Sequence, residues 1–138
     1  MPRLLSLLLS GVLLSACHKS EEPAPNLEGP WQVQRQTHYN YNTNGSLAQK
    51  TGPVSLAGLY RVDITPDTLF IMSAGSPLLS RWDISYPCIR QGNLLMVPPV
   101  HAAQNIEPKD LTAYFLTLVF HEYPSVVGTS ANEMELTR

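Results

Sequence analysis

The side chains able to do chemistry are few in this sequence and far apart. Four histidines stand at 18, 38, 101 and 121, and no two form a His-x-x-x-His pair. No metal site is read from them, although ligands can also converge from distant strands. Carboxylates at Asp63, Asp67, Asp83, Glu107, Asp110 and Glu122 fall at turns or at outward strand positions, where a solvated charge is the default. His121-Glu122 reads as such a solvated strand end. There is no Gly-x-Ser-x-Gly elbow, phosphate-binding glycine loop or paired-cysteine motif. The chain is therefore expected to be no enzyme, and neither a metal nor a cofactor is expected.

Two cysteines remain, and they differ in setting. Cys88 sits in Tyr86-Pro87-Cys88-Ile89, among apolar neighbours, and reads as a buried, inert thiol. Cys17 follows Leu14-Ser15-Ala16, at the point where an apolar run from Leu4 to Leu14 gives way to a polar stretch. That run of eleven residues is too short to span a bilayer, which takes about 20, but it suits the core of a secretory signal behind Arg3. Small residues followed at once by Cys resemble the lipobox of bacterial lipoprotein signal peptides. The resemblance implies cleavage after Ala16, a diacylglycerol thioether on Cys17 and an acylated new amine. Each buried acyl CH₂ contributes about 0.8 kcal/mol, so two or more chains make a stable anchor. Residues 1–16 are then signal peptide, and the membrane is a partner through Cys17.

Residues 17–26 read as a tether. Lys19, Ser20, Glu21, Glu22, Pro23, Ala24, Pro25 and Asn26 show no apolar periodicity, and proline extends such a spacer. Lys19-Ser20-Glu21-Glu22 resembles the short charged tether of surface-exported lipoproteins of the Bacteroidetes. His18 departs from the aspartate that marks inner-membrane retention. The expected address is the outer membrane, with either leaflet open.

From residue 27 the chain must supply one domain. Its 138 residues are 43% hydrophobic and only 14% charged, which argues against disorder. Nine Lys+Arg against eleven Asp+Glu leave no basic footprint for nucleic acid. Trp31, Val33, Thr37, Tyr39 and Tyr41 alternate with polar residues, a period of two that marks a half-buried strand, with Arg35 the exception on that parity. Asn44-Gly45 offers a turn, and Tyr60, Val62 and Ile64 form a second alternating strand that Pro66-Asp67 ends. Leu69–Met72, Trp82–Tyr86, Leu94–Val97, Val100–Ala103, Thr112–His121 and Asn132–Arg138 follow as further strands. Ile106–Asp110 reads as a turn or one helical turn, while Asn42–Ala57 and Tyr123–Ala131 read as long loops. Seven or eight short strands predict an all-β sandwich or a small antiparallel up-and-down barrel.

Gly29-Pro30-Trp31 at the head of the first strand, the Tyr60–Asp67 strand and turn, and the terminal strand ending in Arg138 resemble the lipocalin-like lipoproteins of the Bacteroidetes. The resemblance covers residues 27–138 and implies the barrel. It also implies a floor in which Gly29 and Trp31 pack beneath Arg138. On the alternation above, Arg35, Tyr39, Tyr60, Trp82 and Tyr86 would point into such a barrel. The expected function is binding of a small hydrophobic or amphiphilic molecule, with Arg35 meeting an anionic head. The alternative is a barrel filled by side chains, an envelope interaction or structural module that meets a protein or glycan through its loops.

Overall fold

The computed structural model describes residues 25–74, 83–92, 94–98 and 103–138. The expected signal peptide, Cys17, the tether up to residue 24 and Trp82 lie outside the described residues. Ten strands and no helix occur among those described: β1 (Gly29–Tyr41), β2 (Leu47–Ser55), β3 (Tyr60–Ile64), β4 (Thr68–Ser73), β5 (Ile84–Pro87), β6 (Ile89–Gln91), β7 (Leu94–Met96), β8 (Ala103–Lys109), β9 (Phe115–Glu122) and β10 (Thr129–Thr137). All their pairings are antiparallel.

The sheet order is β5-β4-β3-β1-β10-β9-β8-β7-β6, with β2 also on β1. Two pairs of strands are continuations of one another. β2 lies against Arg35–Tyr41 of β1 and β3 against Gly29–Gln32, and the Leu56 N–H donates to the Gln34 carbonyl between them at 2.9 Å. β5 and β6 are separated by Cys88 alone, β5 pairing with β4 and β6 with β7. The ten strands therefore trace eight runs of chain in a nearly closed antiparallel barrel. Its two edges are joined covalently through Cys88, whose N–H donates to the Asp67 carbonyl at 2.8 Å.

Inward parity follows the apolar residues. Trp31, Val33, Val62, Ile64, Leu69, Leu95, Ile106, Leu116, Leu118 and Leu136 are all essentially without exposure and pack into one cluster. Burying each such aliphatic side chain contributes about 1.5–3 kcal/mol. Every strand among the described residues, and the buried cluster they form, lies between Gly29 and Thr137, a span of the size of one domain.

Three expectations are corrected. Asn42–Ala57 is no loop: β2 occupies nine of its residues, all exposed, and a strand wet on both faces leaves no apolar alternation to read. Ile106–Asp110 is no turn, because β8 runs through to Lys109. Among the described residues β7 pairs with β8 at Asn105 and Ile106, and Pro108 pairs with Leu118 of β9 beyond that stretch, towards the strand end where proline is tolerated. The loop after β9 is shorter than expected, because β10 already begins at Thr129. Its turn comes so close to β1 that a Cβ on Gly128, at φ +134°, would lie 1.9 Å from the Tyr41 carbonyl oxygen.

Candidate functional site

The barrel has a floor and an open cup. At the floor, Gly29 enters β1 at φ +104°, a conformation that favours glycine. Trp31 is fully buried and its Nε1–H donates to the Leu27 carbonyl at 2.9 Å. The Arg138 guanidinium carbon stands 3.9 Å from the centre of the Trp31 ring, and its Nη2 donates to the Glu28 carbonyl. The Arg138 N–H donates to the Tyr114 carbonyl at 3.1 Å, which holds the end of β10 in place. These contacts seal the interior at this end.

Part of the apolar cluster also borders an open concavity. A cup of about 400 Å³ is lined by Val33, Leu56, Ile71, Phe120 and Met134, with Tyr60 and Ile84 partly exposed. Tyr86 and Phe120 reach towards each other from different strands, their ring centroids 5.8 Å apart at 53°. Two polar side chains, Gln36 and Asn132, complete the wall.

A ladder of hydrogen bonds climbs from that polar edge. Asn132 Oδ1 lies 2.9 Å from His38 Nδ1 and accepts from Gln36 Nε2 at 3.4 Å, while its Nδ2 donates to Glu122 Oε1 at 3.1 Å. His38 Nε2 lies 3.0 Å from Asn40 Oδ1, and Ser130 donates to the other Glu122 oxygen. Glu122 and Asn40 also line a smaller cleft of about 240 Å³ between the β1–β2 and β9–β10 turns. Burial raises the Tyr86 hydroxyl above its usual pKa, and the Glu122 carboxylate adds to the rise.

The expected cavity residues are divided by this geometry. Tyr60 and Tyr86 line the cup. Arg35 and Tyr39 do not, which corrects the inward assignment made for both. The pairing of β1 with β10 shifts register between Val33 and Arg35, so Gln34 is an extra residue and every later side chain changes face. Arg35 is consequently half-exposed outside the barrel, its Nε donating to Glu135 at 2.9 Å. Tyr39 lies on the same outer face, reaching Glu133 at 3.5 Å, with the Lys50 ammonium 5.4 Å from its ring centre. Gln36, Phe120, Asn132 and Met134 take their places in the cup. Phe120 shares the parity of Leu116 and Leu118, which is the signal that would have found it.

A second concavity, about 480 Å³, opens on the outer surface beside Tyr41, Leu94, Glu107 and His121. It is the larger of the two, but its polar groups answer one another: His121 Nε2 lies 3.1 Å from Glu107 and Lys109 3.5 Å from the same oxygen. Among the described residues no three His, Cys, Asp or Glu side chains gather as a metal site. The cup, walled by six runs of chain, is the more enclosed of the two. No protein-family model matches the chain, and no curated protein resembles it in sequence.

Proposed function

We propose that this protein is a lipid-anchored lipoprotein of the outer membrane, with a lipocalin-like barrel that holds one small apolar or amphiphilic molecule in its cup. One observation carries the reading: beside the buried cluster that contains Trp31, the barrel leaves a concavity of about 400 Å³ lined by Val33, Ile71, Tyr86, Phe120 and Met134. A volume of that size suits a ligand of a few hundred daltons. The Gly29-Pro30-Trp31 start with Arg138 over the indole supports the lipocalin-like assignment, and the Leu14–Cys17 sequence supports the anchor. No reaction is proposed, because no nucleophile–base pair stands beside the cup among the described residues.

Native mass spectrometry of residues 25–138, purified without detergent from the periplasm of the source bacterium, tests the reading. The expected result is a reproducible extra mass of a few hundred daltons that Tyr86→Ala or Ile71→Trp removes. A bare protein mass that also resists titration with medium-chain amphiphiles would overturn it.

A second reading has its own observation. Val126 and Val127 are 95% and 82% exposed at the β9–β10 turn, an apolar tip suited to a protein or glycan partner. Loss of co-purifying partners on Val126→Ser with Val127→Ser, with the cup empty, would favour this interaction module.

A further inference from the structure

The cup has a polarity that the apolar wall alone does not define. Of the ten described residues that line it, none is charged. Among the described residues the carboxylate met at its polar edge is Glu122, bonded to the lining residue Asn132, whose other amide atom faces the His38 ring. Each Glu122 oxygen already accepts one hydrogen bond, from Asn132 and from Ser130, and a carboxylate oxygen has room for a second. Arg35, the cation expected to receive an anionic head, is on the outer face and paired with Glu135. Lys50 is likewise outside, over Tyr39.

We infer that the cup accepts a single-chain amphiphile whose head is a cationic or neutral hydrogen-bond donor, an amine or alcohol, and disfavours a carboxylate. The tail lies against Ile71, Phe120 and Met134, and the head lies at the Asn132–Glu122 edge. A donor there completes the free acceptor sites of Glu122. A carboxylate there brings a like charge into a half-buried place where solvent screens it weakly.

This rests on the cup being a ligand site, and one experiment separates the two ideas. Residues 25–138 are titrated calorimetrically at pH 7 with decylamine, decanol and decanoate, each below its aggregation limit. Amine and alcohol are expected to bind about tenfold or more tighter than decanoate. In Glu122→Gln that preference is expected to fall below about threefold. Should that variant fail to fold by circular dichroism, the unaltered protein is titrated at low and high salt, where the amine-to-carboxylate ratio should narrow as salt rises. Decanoate binding as tightly as the amine overturns the inference while leaving the cup intact. An unchanged ratio in a folded Glu122→Gln, or across salt in the unaltered protein, overturns it as well. Failure of all three to bind overturns the cup itself.

Discussion

The guanidinium of Arg138 lies across the indole of Trp31, 3.9 Å from the ring centre, although 106 residues of chain separate the two positions. The contact ties the last residue of the sequence to the head of the first strand. Because β1 and β10 are also paired along most of their length, it closes the ring at the floor. Trp31→Ala is expected to cost about 3–5 kcal/mol, as truncation of a buried aromatic. Arg138→Ala should cost about 0.5–2 kcal/mol through the lost cation–π contact. Denaturant melts of both single variants and the double variant measure the coupling. Fully additive costs would mean that the two side chains do not support each other.

Cys88 is predicted to be a slow thiol. It is buried at the bend between β5 and β6, and burial raises its pKa, Asp67 adding to the rise and Arg90 opposing it. A raised folded pKa favours the protonated form in the folded state. The stabilisation is therefore complete below the unfolded thiol pKa and is lost as pH climbs through the folded value. Iodoacetamide at pH 8 should label Cys88 at least about tenfold more slowly in native protein than in urea. Equal rates would contradict its burial.

Glu107 should titrate low. The hydrogen bond from His121 is the main cause, with burial opposing and Lys109 assisting. A depressed carboxylate contributes stability that is present above its unfolded pKa and is lost as pH falls through the folded one. His121→Ala is expected to raise the Glu107 pKa and to start that acid-side loss at a higher pH. A carbon-detected NMR titration of the Glu107 carboxyl checks this, and an identical midpoint in the variant would remove His121 as the cause.

Cys17→Ala is expected to shift the protein from the membrane fraction to the soluble periplasm and leave the barrel's circular dichroism unchanged. A variant that still sediments with membranes would end the lipid-anchor proposal.

Strand after strand was legible where one face meets the core and the other meets solvent. Tyr60–Ile64 and Ile84–Tyr86 alternate cleanly, and each lies in a strand pairing with β4. β2 was not legible, because a strand exposed on both faces carries no contrast between its residues. β8 was hidden by Pro108, whose local signal is a turn although it pairs with Leu118 of β9.

The candidate site shows the same division more sharply. Apolar and polar periodicity by itself determined that the domain is all-β, and put Trp31, Tyr60 and Tyr86 on inward faces. It could not place Arg35 or Tyr39, because one additional residue at Gln34 reverses every side chain after it. Periodicity is a local property, summed along one strand. A bulge is defined only by the partner strand, and here that partner is β10, about a hundred residues away. Only tertiary pairing therefore decided that Gln36 and Asn132, rather than Arg35, line the cup.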